Sequence, residues 1–301
     1  MANENFYRTY TLKCGKNGGH GFEIGNTGSS TENSLHISFS IEKADVESPN
    51  TAKVQIWNLS DENLKIMDGE DCIIELKAGY GSNMPLILVG DVTTVITTPD
   101  NADRMTEIEV MDGRVELRDT TVTISVNGSA NCMDIYTQIA EGMGIPITFA
   151  GDLSFKSIPN GFSYVGKAKG ALQKISKYCG HNWTIQNQVI QVTWPGRSVS
   201  EKGFLLNSET GLIGHPKRIT IGAGSKDRES QTGWEIQYFL NGAIGVNDVV
   251  QIESPTANGY FRVQKVTFDG DNMEGDWMCT AQVLEIKAQP ELDRKVSKQI
   301  S

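Results

Sequence analysis

Alternating apolar and polar positions dominate residues 1–120. The apolar side chains of Leu35–Glu42 and of Ala52–Asn58 recur at every second position. This two-residue period predicts strands with one buried face. Further strands are predicted at Tyr7–Lys13, Cys72–Ala78, Pro85–Thr97, Met105–Met111 and Arg114–Arg118. The segment Leu59–Asp68 interrupts the alternation and predicts one short helix with Ser60 as its N-cap.

The period changes between residues 121 and 195. Apolar residues recur at helical spacing from Cys132 to Met143 and again from Ala168 to Cys179. A glycine follows each run and predicts the end of the helix. The two segments align when one is shifted along the sequence so that Gly144 falls on Gly180. The pattern therefore predicts two helix–strand units, the second extended by a hairpin around Asn187 into the strand Val189–Thr193.

Residues 196–288 return to strand patterns separated by turn clusters. The predicted strands are Lys217–Gly222, Trp234–Leu240, Asp248–Glu253, Tyr260–Phe268 and Asp276–Ile286. Residues 289–301 form a polar tail of mixed charge. The fold is predicted to be mainly β with an α+β middle. Two small β-barrel domains, 1–120 and 196–288, would flank a small helix–strand module at 121–195.

Charge and cysteine content exclude several function classes. The 301 residues include 27 Lys and Arg against 37 Asp and Glu, a net charge of −10. Such a chain is a poor candidate for a nucleic-acid clamp, which needs a basic face. The 5 cysteines are scattered and form no CxxC pair, so neither a disulfide framework nor a zinc site is predicted. Cys132 and Cys179 are expected to be buried, reduced thiols in a chain that folds in a reducing cytoplasm.

Two motifs resemble ligand-binding loops but fail at a required position. Gly161–Ala168 matches a phosphate-binding loop through Lys167, yet Ala168 stands where Ser or Thr must hold magnesium. We expect Phe162, Tyr164 and Val165 to serve in packing instead. Asp269–Asp276 resembles a calcium loop, but Met273 and Glu274 occupy its fifth and sixth positions. A solvated hairpin turn is the favoured interpretation.

No catalytic, cofactor-binding or metal-binding residue is assigned, and the chain is predicted not to be an enzyme. Its four histidines are His20, His36, His181 and His215, and none has a helical partner three or four residues away. Glu107 and Glu109 share one strand face and are expected to be solvated. The five tryptophans are expected in cores or subunit interfaces rather than on a sugar-binding platform.

Two stretches carry a resemblance to a known family. The first is Val54–Ser60, followed by Gly90–Val92 and by Asp103–Gly113. The second is Leu240–Ile252, followed by Gly259–Val266 and Gly270–Trp277. In order and spacing they resemble the first and last barrels of the baseplate hub proteins of contractile-tailed phages. The late control protein D group and the hub portion of type VI spike proteins are relatives of this kind.

The resemblance implies a structural subunit of a virion tail baseplate, made in the host cytoplasm. Three copies, each with two tube-type barrels, would form a ring that joins the sixfold tail tube to the threefold central spike. Implied partners are sister copies and the tube and spike proteins, with the tape-measure protein as a further candidate. DNA would pass through without specific binding. We expect an acidic lumen that repels DNA phosphates, since the chain carries −10 overall.

Two other readings stay open. A carbohydrate-binding or cell-wall-binding module is the alternative, favoured by the aromatic content and by the repeated helix–strand units. A hydrolase whose site is assembled only by the fold has no local sequence signature here. The chain also departs from the hub pattern, because Val246-Asn247-Asp248 stands where a Pro-Gly-Asp turn is common.

Overall fold

The computed structural model describes residues 7–16, 19–26, 34–113, 119–199, 203–221 and 231–286. The predicted mainly β fold with an α+β middle is confirmed. The predicted strand Arg114–Arg118 and the polar tail 289–301 lie outside the described residues. No helix of the described part is both long and apolar enough to span a membrane.

The first region contains seven described strands and one helix. They are β1 (Arg8–Lys16), β2 (Gly21–Asn26), β3 (Ile37–Ala44), β4 (Thr51–Trp57), α1 (Asp61–Met67), β5 (Cys72–Tyr80), β6 (Leu86–Asp100) and β7 (Asp103–Met111). The predicted cap of α1 is present, since Ser60 Oγ accepts the Asn63 N–H at 3.2 Å. The alternation of β3 buries Ile37, Phe39 and Ile41.

The middle region combines short strands with two helices. They are β8 (Thr121–Val126), β9 (Ala130–Asn131), α2 (Cys132–Met143), β10 (Ile147–Phe149), β11 (Ser157–Ile158), β12 (Phe162–Lys167), α3 (Ala168–Cys179), β13 (Asn182–Gln186) and β14 (Val189–Thr193). Gly144 (φ 71°) and Gly180 (φ 82°) end the two helices in the left-handed conformation, as predicted. Asn187 and Gln188 form the predicted turn between β13 and β14.

The last region is again made of strands. They are β15 (Gly203–Leu206), β16 (Leu212–Ile221), β17 (Gln231–Phe239), β18 (Val249–Glu253), β19 (Asn258–Asp271) and β20 (Trp277–Glu285). β19 is longer than predicted because its two halves pair with different neighbours. Its first half pairs with β18 and its second half pairs with β3 of the first region.

The pairing of β19 with β3 joins the two strand-rich regions into one sheet of 13 strands. Its order is β16-β17-β20-β19-β3-β4-β7-β6-β5-β1-β2, with β18 paired to β19 and β15 paired to β18. Two closed barrels are not found among the described strands. The physical reason is visible at β3, because the edge that could close a first barrel is occupied by β19.

The buried side chains fall into two clusters. One runs through both strand-rich regions, from Tyr10 to Val110 and from Leu206 to Val283. The other belongs to the middle region, where α2 and α3 pack on its short strands, and it extends from Val122 to Val192. The division into domains at residues 120, 195 and 288 remains a prediction.

Candidate assembly surfaces

The segment that resembles a phosphate-binding loop is a strand. Residues 162–167 form β12, which pairs with β8 and runs directly into α3 without an intervening loop. An extended strand cannot curl its N–H groups around a phosphate. Phe162 packs as predicted, at 7 % exposure. The expected packing role of Val165 is wrong, since its side chain is 71 % exposed on the outer face of the strand.

The acidic stretch 269–276 comprises the end of β19 and the turn that leads into β20. Asp271 Oδ1 accepts the N–H groups of Met273 (2.8 Å) and Glu274 (3.0 Å), so this carboxylate closes the turn. Burial alone raises the pKa of Asp271, but these two bonds and one from His36 outweigh it and hold the pKa below its ordinary value. Within the described residues, no cluster of three or more His, Cys, Asp or Glu has metal-binding geometry.

The cysteines and His181 belong to cores. All five cysteines are free and buried, including Cys132 and Cys179 as predicted. His181 directly follows Gly180, and its ring is packed against Tyr136 and Trp194. Burial lowers the pKa of His181, because desolvation disfavours the charged imidazolium.

All five tryptophans lie in the described part, and none is an exposed residue. Trp183 and Trp277 are 1 % and 5 % exposed. Trp57 stacks on His36 with 3.9 Å between ring centroids and donates its N–H to Asp100 at 2.8 Å. A sugar-binding platform needs an exposed aromatic face, so these residues give the carbohydrate-binding alternative no support.

A buried polar junction fastens the middle region to the large sheet. Asp112 is 0 % exposed, and its carboxylate accepts the N–H groups of Asn187 and Gln188 at the turn of the β13–β14 hairpin. Lys43 donates to the Asn187 side chain. Asn50 donates to Ile185 O at 3.0 Å. The sequence indicated Asp112 only as a turn residue and missed the other partners, which are distant along the chain.

A second buried junction connects the first and last regions. Arg262 donates to the Asp45 carboxylate at 2.6 Å and also to the side-chain oxygen of Asn247. The side chains of Arg262 and Asp45 are 5 % and 7 % exposed. The Asp45 N–H donates to Gln264 O at 2.9 Å, which ties the same two segments through the backbone. This junction lies at the end of the β19–β3 pairing.

The segment Val246-Asn247-Asp248, which stands where a Pro-Gly-Asp turn is common, still forms a turn with a left-handed residue at its centre. Asn247 adopts φ 68° in the turn before β18, a left-handed conformation that Gly and Asn tolerate better than other residues. Asp248 Oδ2 accepts the Gly245 N–H at 2.7 Å within the same turn. Burial raises the pKa of Asp248 from its ordinary value of 3.8 to about 6, with the Gly245 hydrogen bond acting in the opposite direction.

The Asp248→Asn variant is expected to be about 2 kcal/mol more stable than the parent above pH 6.5. Between pH 4 and 6 the folded chain keeps a proton on Asp248 that the unfolded chain releases, so parent stability falls as pH rises through this window. Asparagine cannot ionise and still accepts the Gly245 N–H. Urea midpoints at pH 4.5 and 7.5 test this, with the exposed Asp276→Asn as control. An equal gain for both variants would contradict it.

One face of the large sheet is open to solvent across seven strands, from β17 through β20, β19, β3, β4 and β7 to β6. Serine, threonine and glutamine occupy many of its positions. The charged residues on β17, β20, β19, β3, β4 and β7 that share this face are Glu42, Lys53, Glu107, Glu109, Glu235, Lys265, Asp269 and Asp271. Acids therefore outnumber bases. A hydrogen bond from Lys53 lowers the pKa of Glu107, which keeps it ionised at neutral pH.

An acidic rim lies at the end of the sheet where β4 finishes. We define it by Asp61, Glu62, Asp100, Asp103, Asp271, Glu274 and Asp276. Side-chain contacts bring these segments together: His36 bonds Asp271 at 2.9 Å, Asn58 donates to Asp103 at 2.9 Å, and Arg104 pairs with Asp61 at 2.9 Å. The middle region attaches at the opposite end of β4, beside Asn50.

Comparison with protein-family models and with curated protein sequences gives no match. Solved structures do match. The 43 kDa tail protein of prophage MuSo2 from Shewanella oneidensis superimposes with a TM-score of 0.58 at 9% identity, covering 92% of this chain and 98% of that one. A tail protein from Neisseria meningitidis MC58 gives a TM-score of 0.57 at 10% identity, over 91% and 96% of the two chains. The chain has the fold of phage tail proteins.

A third match extends this likeness to secretion machinery. The Escherichia coli c3393 protein superimposes with a TM-score of 0.57 at 10% identity, covering 84% of this chain and 74% of that one. That protein is a component of the type VI secretion system and is structurally similar to the T4 bacteriophage tail proteins gp27 and gp5. At these identities the likeness is one of fold.

Proposed function

We propose that this chain is a structural subunit of a phage tail baseplate hub. Three copies form a ring that joins the sixfold tail tube to the threefold central spike. The observation that carries the proposal is the continuous sheet of 13 strands, which unites both strand-rich regions in a fold shared with phage tail proteins over nearly the full length of each chain.

Unpaired strand borders support assembly from identical copies. In the described part of the chain, β2, β15 and β16 are the terminal strands of the large sheet, and each pairs on one side only. Open sheet edges invite pairing with another chain, and closed rotational symmetry satisfies them without leaving a free end. Pro216 and a register shift between Ile213 and Lys217 restrict where a partner strand can pair with β16.

The solvent-open face of the sheet supports passage of DNA through the ring. In the proposal this face lines the channel. Lys53 pairs with Glu107 at 2.9 Å and Lys265 pairs with Glu42 at 2.7 Å, whereas Glu109 has no lysine partner among the described residues, so the uncompensated charges of this face are carboxylates. Carboxylates repel phosphates, and short hydroxyl and amide side chains offer no strong anion site. DNA would slide past this wall.

The proposed ring predicts a particle of about 99 kDa in solution, three times the chain mass of 33.0 kDa. Light scattering coupled to size-exclusion chromatography measures this mass, and class averages of negatively stained particles show whether they are threefold rings. The same measurement with added tube and spike proteins detects a ring that forms only when these partners are present. A chain that stays monomeric under all these conditions and binds glycans would overturn the proposal in favour of a carbohydrate-binding module.

A further inference from the structure

The middle region carries a basic face in an acidic protein. Between residues 121 and 195 there are five lysines and three carboxylates, whereas the whole chain has a net charge of −10. All five lysines lie on α3 or beside it. They are Lys156, Lys167, Lys169, Lys174 and Lys177, and together we call them the basic face. The acidic excess of the chain lies entirely outside this region.

The lysines of α3 lie opposite its buried stripe. At 3.6 residues per turn, the four lysines from Lys167 to Lys177 fall within an arc of about 160°. The other side of the helix is buried in the core of the middle region, with Ala171, Leu172 and Ile175 all 0 % exposed. The basic face is therefore directed to solvent, although Lys156 Nζ donates to Tyr178 O at 3.3 Å and Lys167 Nζ donates to Asp119 O at 3.1 Å.

The basic face has no acidic partner of its own. Within the part of the chain that the structure describes, no carboxylate forms an ion pair with any of the five lysines. Lys174 lies 5.1 Å from the ring centroid of Phe162 and 5.8 Å from that of Tyr164, which holds its ammonium group beside two aromatic rings. The neighbouring Gln173 donates to Glu47, in the connection between β3 and β4, at 2.9 Å. An unpaired, partly ordered cluster of cations favours an acidic protein surface as partner.

The same chain offers such a surface at its other end. The acidic rim lies where β4 finishes, and the middle region attaches where β4 begins, a separation of about 20 Å for seven residues at ~3.3 Å each. The rim cannot fold back onto the basic face of its own chain. Complementary charges at opposite ends of one subunit produce head-to-tail contacts, which close into rings when the rotation between copies permits.

We propose that the basic face of one copy seats against the acidic rim of the next copy. This inference rests on the proposed ring and names the surface that holds it together. The contact is polar and solvent-accessible at its edges, so salt weakens it and mutual attraction of the charges speeds association. The occupant is a sister copy, because the matching surface is present on the chain itself.

Charge reversal tests the contact. The triple variant Lys167→Glu, Lys174→Glu, Lys177→Glu is expected to raise the dissociation constant of the assembly at least tenfold, seen as a fall in mass from ring to single chain at physiological salt. Reversing the rim at three exposed positions with Glu62→Lys, Glu274→Lys and Asp276→Lys is expected to do the same. Combining both sets in one chain is expected to restore the ring. Unchanged circular dichroism and melting temperature show that the variants fold.

The controls separate this inference from the proposed ring. Lys13→Glu with Lys77→Glu reverses exposed lysines on the large sheet, with side chains 51% and 41% exposed, and is expected to leave the mass unchanged. If the parent forms a ring and the triple variant forms it equally well, the inference is wrong and the ring stands. If the parent never assembles, with or without tube and spike proteins, the proposed function fails. Retained rings that lose binding to a different acidic protein or to DNA would also overturn the inference.

Discussion

Replacing Asp112 with alanine is expected to lower the free energy of unfolding by about 3–5 kcal/mol. The fully buried carboxylate accepts the N–H groups of Asn187 and Gln188. It also lies near Lys43. Burial lowers the pKa of Lys43 to about 8, and the Asp112 charge opposes that shift. Truncation therefore leaves these two backbone N–H groups without their acceptor and the buried Lys43 ammonium without a nearby countercharge. Urea denaturation at constant protein concentration measures the loss.

Two further variants make the Asp112 experiment specific. Glu109→Ala removes an exposed carboxylate two strand positions before Met111 and is expected to change stability by less than about 0.5 kcal/mol. Adding Lys43→Met to Asp112→Ala is expected to recover part of the loss, because it removes the cation left without a countercharge. If Asp112→Ala matched Glu109→Ala, the junction would not fasten the middle region to the sheet.

Arg262→Met is expected to cost about 3–5 kcal/mol, because it leaves the buried Asp45 carboxylate without its partner. The side chain of Asn247 loses a donor in the same step. Both residues lie at the point where the last region meets the first, so the loss falls on the pairing that makes one sheet from two regions. Thermal unfolding and urea denaturation at constant protein concentration measure the change.

The surface ion pair of Arg104 and Asp61 provides the matched control. Its side chains are 51% and 76% exposed, so Arg104→Met is expected to cost no more than about 1 kcal/mol. The double variant Arg262→Met, Asp45→Leu is expected to be more stable than Arg262→Met alone, since an apolar pair carries no unpaired charge. A double variant that is less stable than Arg262→Met would show that the unpaired Asp45 carboxylate is not the cause of the destabilisation.

The residues that carry the family resemblance prove to be structural anchors. Arg262 follows the Gly-aromatic pair of the second motif and forms the buried ion pair with Asp45. Asp112 closes the first motif and receives the hairpin of the middle region. Asn247, at the departure from Pro-Gly-Asp, keeps the left-handed turn. The motif could be recognised in the sequence because its residues are restricted in type by the turn conformation or by the buried contacts that they make.

Some strands escaped the pattern for identifiable reasons. β2 contains glycines at both Gly21 and Gly25 and has no continuous apolar alternation. β12 was read as part of a loop motif, although Phe162 is buried and the strand pairs with β8 along its length. In β8 the alternation of Val122 and Ile124 was present and could have been found. Local glycine content and a short motif obscured these elements.

The sequence by itself determined the local structure of this protein. The apolar period, the capping residues and the terminal glycines depend only on residues that are close together in the sequence. The helices α2 and α3, most strands and the hairpin turn at Asn187 could therefore be predicted from the sequence. Composition likewise determined the acidic balance and the absence of a zinc or disulfide pattern.

Only the tertiary structure decided how the strand-rich regions combine. Pairing of β19 with β3 joins residues more than two hundred positions apart along the chain, as Phe268 with Ile41, and no local period encodes such a partner. The same holds for Arg262 with Asp45 and for Asp112 with the distant turn. The segregation of the lysines of α3 from the acidic rim is also a property of the folded chain, because it depends on which ends of β4 the two surfaces occupy.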